Sequence, residues 1–491
     1  MQFKLRRIKE LEPSIMLIGC GAHAKRIYLH ALKDLESKYA NVLKIVVDLE
    51  QNKDNVIYSV SKVFSNVDFC FVKQVTDSQI YQLNEDDEKK LDYYVEKYNI
   101  NGVIISTDPL HHIQYALWAL KNNLHILMDK PISTSNNIAN SVADAERIVT
   151  DYKMLIEKYN PQKVFIVNTQ RRFFNQFEIV QKKINEISNK YGIPITSFQS
   201  THSDGQWRLP NEILDIDYHG YLGYGKISHS GYHFIDFASK LIIDSYKSAG
   251  KKFDALSVYS RCLKPSGYIQ LLNQNNLSTI FKNYASVKRF SDEELMNIYK
   301  SKNEAEIDAF SIISFENKGD LLTTLTLNLV HNGFSRRATL IPNYNDLYKG
   351  NGRVRHEYHN IEQGPLQNIQ IHSYQSKKDF NKNGDEDFVV GGNNHYDIYI
   401  FRNADLIGGE PLEIITAEDV EKQFKMDKNK NMNEFARHQA VFDFVSAITG
   451  KIRPENIKSN ITDHYLGVVI MSMMYKSIIQ GKEVNCKGRW L

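Results

Sequence analysis

The sequence predicts an α/β protein with a doubly wound parallel sheet at its N-terminus and a large, mostly antiparallel open sheet after it. Three observations predict this order. Apolar strands alternate with helix-like runs up to residue 131, a glycine pattern follows the first of those strands, and strand-like runs with hairpin signals dominate the second part. Alternation of strand and helix is typical of parallel sheets, whereas hairpins join antiparallel strands.

The N-terminal part has the more regular pattern. It predicts strands at 14–20, 42–48, 67–72, 102–107 and 125–129, with helices at 22–38, 77–98 and 110–123. Residues 49–76 are otherwise less regular. In such sheets ligands bind at the carboxyl ends of the strands. One edge of the sheet is therefore expected to carry four polar or turn residues, namely Gly19, Asp48, Thr107 and Lys130.

The second part begins with a long amphipathic segment at 136–159 and a strand at 163–169. Further strands are predicted at 194–203, 254–263, 305–316 and 321–330, and helices at 434–449 and 462–479. Residues 264–304 and 340–400 interrupt this pattern as insertions rich in Asn, Lys, Gly and Tyr. The sequence therefore predicts two domains, at 1–132 and 133–491.

The stretch Ile15-Met-Leu-Ile-Gly19-Cys-Gly21-Ala-His-Ala24 has the spacing of a dinucleotide-binding turn. The first Gly permits a tight turn, the second lets a pyrophosphate approach the backbone, and the small third residue lets helix and strand pack closely. Asp48 ends the next predicted strand, where a carboxylate binds a ribose diol and repels a 2′-phosphate. Residues 1–132 are thus predicted to be a Rossmann domain that binds NAD in preference to NADP. The alternative is an ordinary strand-turn-helix with a solvated Asp48.

Lys130 is the first candidate for chemistry. It follows the apolar strand Ile126-Leu-Met-Asp129 and precedes Pro131. A lysine beside a nicotinamide can bind a substrate hydroxyl and tune the pKa of its partner, and a Lys-Pro bond is of the type that can be cis. The alternative is a surface lysine whose stem covers a strand end.

His229, His233 and Asp236 form a second candidate group, at the start of an apolar helix. Their i, i+4, i+7 spacing places them on one helical face. A histidine that titrates near neutral pH can accept a hydroxyl proton as hydride leaves. Buried histidines with satisfied hydrogen bonds and a histidine pair that binds a metal are the alternatives. No other ligand cluster supports a metal, so none is expected.

Arginine and aromatic residues near strand ends are candidates for binding a polyol or a carboxylate. Arg171-Arg172-Phe173 follows the strand at 163–169, and Trp207-Arg208 lies in a polar loop. Solvated surface arginines are the alternative. The run at 379–387 resembles the start of a calcium loop, but its twelfth position is Val390 where such a loop has glutamate, so a polar loop is the prediction.

Composition limits the compartment and the partners. The chain has 491 residues, of which 42% are hydrophobic and 24% charged, and its net charge is +3. These values fit a soluble globular protein and give no argument for nucleic acid or an anionic membrane as partner. The four cysteines form no CxxC pair, which fits a reducing compartment such as the cytoplasm. No run approaches the roughly 20 apolar residues of a membrane span.

Together these motifs resemble those of the Gfo/Idh/MocA oxidoreductases, the glucose-fructose oxidoreductase and inositol dehydrogenase family. The matching segments are Gly19-x-Gly21-x-x-Ala24, Thr107-x-Pro109-x-x-His112-x-x-x-Ala116, Asp129-Lys130-Pro131, Arg171-Arg172-Phe173 and the run from Gly225 to Asp236. The family's Glu-Lys-Pro reads Asp-Lys-Pro here, and its Asp-x-Gly-x-His reads His229-x-Gly231-x-His233. The resemblance covers residues 14–245 well and is absent over the insertions.

This resemblance implies an NAD(P)-dependent dehydrogenase or reductase that acts on a hydroxyl of a sugar, sugar derivative or cyclitol, assembled as a homodimer or homotetramer through its open sheet. Lys130 and His233 match the catalytic lysine and histidine of the family, while His229 replaces its aspartate and is expected to contact substrate or relay a proton. Cofactor contacts are expected from Gly19, Gly21, Ala22, His23, Ala24, Asp48, Thr107, His112, Asp129 and Lys130, and substrate contacts from Arg172, Trp207, Arg208, His229 and His233.

Two other functions remain open for a chain with these motifs. The first is a catalytically silent regulator of the same fold that senses NAD or a sugar, because fold does not fix function. The second is a glycosidase that works by NAD-assisted oxidation and elimination, which begins with the same hydride abstraction. Retention of both Lys130 and His233 favours an enzyme over the regulator.

Overall fold

The computed structural model describes residues 12–73, 81–214, 223–301, 304–340, 352–376, 390, 394–424 and 432–488. The chain divides into two compact units. The first comprises Met1–Ser133, Thr150–Phe174 and Asn429–His464; the second comprises Thr134–Val149, Asn175–Lys428 and Tyr465–Leu491. The sequence predicts one second domain over 133–491. The structure differs, because residues 150–174 and 429–464 belong to the first unit.

The elements are numbered in chain order. The strands are β1 (Ile15–Ile18), β2 (Leu43–Leu49), β3 (Asp68–Val72), β4 (Gly102–Ile105), β5 (His125–Asp129), β6 (Phe165–Asn168), β7 (Ser197–Ser203), β8 (Ala255–Leu263), β9 (Asp308–Asn317), β10 (Asp320–Val330), β11 (Val354–Gln363), β12 (Gln367–Ser376), β13 (Asn394–Arg402), β14 (Leu412–Ile415) and β15 (Val484–Lys487). The α-helices are α1 (Ala22–Arg26), α2 (Tyr28–Leu35), α3 (Lys53–Ser61), α4 (Glu85–Tyr98), α5 (His112–Lys121), α6 (Val142–Lys158), α7 (Asn175–Tyr191), α8 (Tyr232–Ser248), α9 (Pro265–Leu271), α10 (Gln274–Ile280), α11 (Asp292–Ser301), α12 (Ala404–Ile407), α13 (Ala417–Phe424), α14 (Met432–Ile448) and α15 (Tyr465–Gln480).

The first unit contains a six-stranded sheet in the order β3-β2-β1-β4-β5-β6, and every neighbouring pair is parallel. All four residues of β1 and of β4 are buried, as expected for strands covered on both faces by helices. The predicted doubly wound parallel sheet is therefore confirmed. Its strand order, 3-2-1-4-5-6, is that of a dinucleotide-binding sheet.

Three helices of the first unit differ from the prediction. The helix expected at 22–38 is divided at Ile27 into α1 and α2. The irregular stretch at 49–76 contains α3, whose short, mostly polar sequence has weak apolar periodicity. Helix α4 begins after Asn84, whose side chain accepts a hydrogen bond from the backbone N–H of Asp87 at 2.9 Å. Such a cap fixes the start of a helix, and residues 77–80 of the longer predicted helix lie outside the described residues.

The second unit contains a nine-stranded sheet in the order β14-β13-β12-β11-β7-β10-β9-β8-β15. All its neighbouring pairs are antiparallel except β7 and β10. One face of the sheet packs on α8 and α15, and α7 packs beside α8. The predicted open, mostly antiparallel sheet is confirmed, but α7 was not predicted from the sequence.

The two stretches that interrupt the sequence pattern have different structures. Residues 264–301 form the helices α9, α10 and α11, which surround two small apolar clusters. Residues 354–402 supply three central strands of the large sheet, β11, β12 and β13. These strands are rich in Asn, Gln, His and Tyr on the half-exposed face, so their alternation lacks the apolar signal of a typical strand.

One edge of the nine-stranded sheet gathers several loops. Because β7 and β10 are parallel, their carboxyl ends lie at the same edge. Strands β9 and β11 are antiparallel to these neighbours, so their amino ends lie there too. Within the described ranges, no helix combines the length and the apolar character needed to cross a lipid bilayer.

Candidate functional site

The glycine turn follows β1 in the first unit. Gly19 has a φ of +86°, and a Cβ added there would lie 2.6 Å from the backbone oxygen of Ser106. Its N–H donates to the carbonyl of Val47 at 2.8 Å. A Cβ added at Gly21, in contrast, would meet nothing within 4 Å. The turn is thus tight at its first glycine and open at its second, as a backbone approached by a pyrophosphate requires.

Asp48 lies near the end of β2 and its carboxylate closes the glycine turn. One oxygen accepts the N–H of Cys20 at 2.7 Å, and the other accepts the N–H of Leu49 at 2.7 Å and the amide of Asn52 at 2.8 Å. A carboxylate has about four acceptor positions, so acceptor capacity remains for a hydroxyl. Neither Cys20 nor Asn52 was singled out from the sequence, where nothing marks them as partners of Asp48.

Ala22, His23 and Ala24 form the first turn of α1. Ala22 is exposed, while Ala24 is fully buried and allows the close packing expected of a small residue at that position. His23 Nε2 lies 3.6 Å from an oxygen of Asp129, and its ring meets the ring of Tyr28 edge-on at 5.4 Å. His23 therefore connects α1, which follows the glycine turn, with the end of β5.

Asp129 ends β5 and accepts several hydrogen bonds inside the first unit. Tyr28 and Ser106 donate to its two oxygens, the latter at 2.7 Å. Asn168, at the end of β6, donates to Tyr28 at 2.6 Å. Burial opposes ionisation of Asp129, but His23 and the bonds from Tyr28 and Ser106 outweigh it and hold the pKa of this carboxyl below its usual value. The end of β5 thus carries a fixed negative charge directly before Lys130.

Lys130 is half-buried, and the Lys130-Pro131 peptide bond is cis. The side chain of His112 is fully buried between two loops: Nδ1 lies 2.8 Å from the carbonyl of Pro131 and Nε2 lies 3.3 Å from that of Thr107. Burial lowers the pKa of His112, and a neutral ring has one N–H to donate, so His112 donates to one of these carbonyls, of which that of Pro131 is the nearer. Its ring lies between the loops after β4 and β5, and Thr107, half-buried, lies in the first of them.

Arg172 is buried in the first unit. Its guanidinium contacts the carboxylate of Asp463 at 3.3 Å and the Asp463 carbonyl at 3.2 Å. These contacts tie the segment after β6 to the turn before α15. They pair the charge of Arg172 within the first unit, and its contact with substrate stays a prediction.

His229 and His233 lie on different kinds of helix in the second unit. Ile227–Gly231 is a π-helical turn, and α8 begins at Tyr232. His229 in this turn is half-exposed, whereas His233 is 8% exposed. The two histidines remain four residues apart across the junction of the π turn and α8, and their predicted shared face stays a prediction. Single-turn π segments of this kind are frequent at functional sites.

Trp207 and Arg208 follow β7 and pack on the helical segment 264–301. The Trp207 indole N–H donates to the hydroxyl of Tyr268 at 2.7 Å, and its ring stacks on Phe281 at 5.7 Å. Arg208 is 2% exposed, and its guanidinium contacts the carbonyl of Glu212 at 3.4 Å. Trp207 is half-exposed and remains the better candidate for contact with a ligand.

Several polar residues at the edge of the large sheet were missed from the sequence. They are Asp204 after β7, Lys226 before the π turn, His331 after β10 and Arg353 before β11, all joined through Asp204. The available signal was a polar residue directly after a predicted strand, which applies to Asp204 after 194–203 and His331 after 321–330. Among the described residues, no group of three or more His, Cys, Asp or Glu side chains is arranged to hold a metal ion.

Comparison with known proteins gives a family match for the N-terminal part of the chain. Residues 14–155 match the Gfo/Idh/MocA model, described as an oxidoreductase family with an NAD-binding Rossmann fold. Comparison with curated protein sequences gives no significant match.

Solved structures share the fold over nearly the whole chain. A levoglucosan dehydrogenase in complex with NADH and L-sorbose is 14% identical, with a TM-score of 0.59 over 96% of this chain and 98% of the other. An oxidoreductase from Agrobacterium radiobacter, in complex with NAD⁺, L-tartaric acid and magnesium, is 12% identical, with a TM-score of 0.54 over 96% and 98%. The scyllo-inositol dehydrogenase of Lactobacillus casei is 12% identical, with a TM-score of 0.51 over 97% and 98%.

At these identities the structural likeness shows the fold alone. Residues 14–155, which hold the glycine turn and strands β1 to β5 of the six-stranded sheet, are similar to the NAD-binding Rossmann domain of the Gfo/Idh/MocA oxidoreductase family.

Proposed function

We propose that this protein is an NAD-dependent oxidoreductase that transfers a hydride between nicotinamide and a hydroxyl or keto carbon of a sugar, sugar derivative or cyclitol. The observation that carries the proposal is the edge of the six-stranded sheet, where an open Gly21 follows β1, the carboxylate of Asp48 lies near the end of β2 and Lys130 follows β5. All four cysteines are free thiols, which supports a reducing compartment, and we place the protein in the cytoplasm.

The residues of the glycine turn fit a dinucleotide. Space beside Gly21 is open to a pyrophosphate, and Asp48 keeps acceptor capacity for a ribose diol. A carboxylate there opposes the 2′-phosphate of NADP, and Glu50 adds a second acidic group two residues later. NAD is accordingly the proposed cofactor, and it supplies the hydride acceptor or donor when bound.

Lys130 and His233 are the proposed catalytic residues. Lys130 follows the fixed charge of Asp129, and the ammonium of a lysine so placed can hold a substrate hydroxyl by hydrogen bonding. His233 takes the hydroxyl proton during oxidation and returns it during reduction, because an imidazole exchanges protons near neutral pH. His229 is proposed to contact the substrate or to relay that proton, in the place where the family signature has aspartate.

Polyhydroxylated substrates are favoured by the polar groups and aromatic faces of the second unit. Trp207 presents a half-exposed aromatic ring that is held by Tyr268 and Phe281. Sites for small ligands combine such an apolar surface with a few placed polar groups. Levoglucosan and L-sorbose, which are bound in two structures of a levoglucosan dehydrogenase with this fold, are of the same chemical class.

Cofactor binding and turnover test the proposal in two steps. The purified protein is titrated with NAD⁺, NADH, NADP⁺ and NADPH by calorimetry, and a panel of sugars and cyclitols is then screened by absorbance of the nicotinamide band. Micromolar binding of NAD(H) with turnover of a panel member is the expected result. Absence of binding by either cofactor would overturn the proposal. Stoichiometric NAD⁺ retained through turnover, with glycosides cleaved, would instead favour the glycosidase.

We further propose that two copies of the chain associate through the open face of the nine-stranded sheet. Ile312 on β9, 52% exposed, stands beside Tyr259 on β8, and Phe310 also projects from this face. Exposed apolar groups clustered on one sheet face are a frequent mark of an interface. Ile312→Lys should therefore lower the oligomeric state measured by light scattering after gel filtration. Ile280→Lys is the matched control, since Ile280 on α10 is 54% exposed and lies off the sheet; an equal effect of both would refute this interface.

A further inference from the structure

The π turn that carries His229 is anchored by side chains as well as by its own backbone. Its closing hydrogen bond runs from the N–H of Gly231 to the carbonyl of Lys226 at 2.8 Å. The N–H of Ile227 donates to the carboxyl of Glu306 at 2.8 Å, and the N–H of Ser228 contacts the hydroxyl of Tyr475 at 3.2 Å. These bonds fix the first half of the turn, because the first N–H groups of a helix have no partner within it.

Asp204 holds the same turn from the end of β7. Its Oδ2 accepts a hydrogen bond from Lys226 Nζ at 2.5 Å and another from Ser230 Oγ at 2.7 Å. Lys226 precedes His229 by three residues and Ser230 follows it directly. One carboxylate oxygen therefore ties together the two positions that bracket His229.

The surroundings of Asp204 keep it charged and in place. Arg353 contacts its Oδ1 at 3.2 Å and donates to its carbonyl at 2.9 Å, and His331 Nδ1 lies 3.4 Å from Oδ2. The side chain of Asp204 is 5% exposed and that of Lys226 is fully buried. Burial opposes ionisation, but Lys226 and the other cationic and donor groups outweigh it and hold the pKa of Asp204 well below its usual value.

We propose that Asp204 is a positioning residue that sets the orientation of His229 through Lys226 and Ser230. The inference rests on the proposed function for the role of His229 in turnover, although the positioning itself is a property of the second unit alone. The family signature has a carboxylate on the turn, at the position of His229. In this chain the carboxylate of Asp204, which follows β7, bonds to the turn instead. It holds in place the turn that carries His229.

Chemical labelling tests the positioning without any substrate. Wild-type protein and Asp204→Asn are treated with diethyl pyrocarbonate, and the rate of modification is measured by mass spectrometry for each histidine. We expect a several-fold change in the rate at His229, with the rate at the exposed His30 of the first unit unchanged. Glu413→Gln is the matched control, since Glu413 in the same unit also accepts from two cationic side chains, those of Lys183 and Arg402. An unchanged rate at His229 in folded Asp204→Asn would overturn the proposal.

Loss of Asp204 leaves the buried Lys226 without its carboxylate partner, a change that strongly destabilises other proteins, so a second variant is needed in case Asp204→Asn does not fold. Ser230→Ala is the second variant for that case, because it removes only one hydrogen bond to the carboxylate. It should shift the labelling rate of His229 in the same direction by a smaller factor. If Asp204→Asn does not fold, an unchanged labelling rate of His229 in Ser230→Ala would also overturn the proposal.

Turnover then separates positioning from general damage. With a substrate identified by the screen, Asp204→Asn should lower kcat by about 10²-fold, the loss typical of a reacting group displaced by about 1 Å. In a His229→Ala background the same substitution should have little further effect, because residues that act through one another are not additive. Additive losses would show that Asp204 does not act through His229. If the wild-type protein turns over no substrate, the proposed function fails while the labelling result still decides the positioning.

Discussion

The functional edges of the two sheets are built from different chemistry. At the edge of the six-stranded sheet, the carboxylates of Asp48 and Asp129 are held mostly by neutral donors, among them the N–H of Cys20 and the hydroxyl of Ser106. At the edge of the nine-stranded sheet, Asp204 is held by buried cationic side chains. At the first edge the carboxylates keep part of their hydrogen-bonding capacity for a ligand. At the second edge the carboxylate of Asp204 is used to hold the π turn in place.

This difference has a structural cause. A parallel sheet with consecutive strands brings its turns to one edge with short connections, so backbone groups and small side chains suffice to shape the site. The strands that meet at the edge of the large sheet are distant in sequence. Strong, charge-assisted bonds between side chains join them there. The first edge should therefore be sensitive to backbone geometry and the second to charge.

Removal of one proposed catalytic residue from each edge should give the largest effects. Lys130→Ala and His233→Ala are each expected to lower kcat by about 10²–10⁴-fold, the usual worth of a positioned acid-base group. His233→Ala should leave NAD affinity unchanged, because the glycine turn and Asp48 belong to the other unit. Steady-state kinetics and calorimetry measure the two quantities, with the exposed Lys121→Ala as control. Full activity of His233→Ala would refute its assigned role.

Two glycines of one turn test whether backbone geometry governs the first edge. Gly19→Ala places a Cβ within 2.6 Å of a backbone oxygen at a φ of +86°, so a loss of more than about 2 kcal/mol in the free energy of unfolding is expected. Gly21→Ala meets open space and should keep the stability of the wild type. It should nevertheless weaken NAD binding, because the added methyl occupies the space proposed for the pyrophosphate. Equal stability of the two variants in chemical denaturation would contradict this account of the turn.

A buried histidine of the first unit makes its stability depend on pH. His125 Nδ1 accepts the N–H of Val164 at 3.1 Å, which requires the neutral ring, and burial, with the charge of Lys163, lowers the pKa of His125 to about 4. The unfolded chain binds this proton near pH 6.5, so stability is present above that pH and is lost as the pH falls toward 4. Between pH 7.5 and 5 the loss should be about 2 kcal/mol.

His125→Gln is the matched variant for this effect. The glutamine oxygen can accept the same N–H but does not titrate, so the variant should lose less stability than the wild type over that pH range. Denaturant unfolding of both proteins at the two pH values measures the difference. An identical loss in both would assign the pH dependence to other groups.

The sequence predicted the first edge well because its signals are local. Gly19, Gly21, Asp48 and Lys130 each follow or end an apolar strand, and the parallel order of those strands brings them to one edge. The division of the first helix at Ile27 and the presence of α3 were missed, because short helices with mixed polarity have little periodicity to detect. Residues 150–174 and 429–464 also belong to this unit, but no local sequence pattern indicates which elements they contact.

The second edge was predicted only in part. His229 and His233 were identified from their motif, but the π turn that carries His229 was not predicted, because its sequence was taken as part of the following helix. Lys226 lies in the same motif but was not predicted to be a site residue, because a lysine in a polar stretch is usually solvated. Its partner Asp204 is 22 residues away in sequence. Only the pairing of the strands shows that both reach the same edge.

The smallest expected effect concerns the choice of cofactor at the first edge. Asp48→Asn keeps an oxygen for the N–H of Cys20 and removes the charge that opposes a 2′-phosphate. One unit charge at about 4 Å is worth about 1–4 kcal/mol near a protein surface, so the ratio of NADP to NAD affinity should rise by about tenfold or more. Titration of the variant with both cofactors measures this ratio, and an unchanged ratio would show that Asp48 serves only to close the glycine turn. That outcome would make the two edges alike, each with a carboxylate used wholly for structure, and would leave cofactor choice to residues beyond β2.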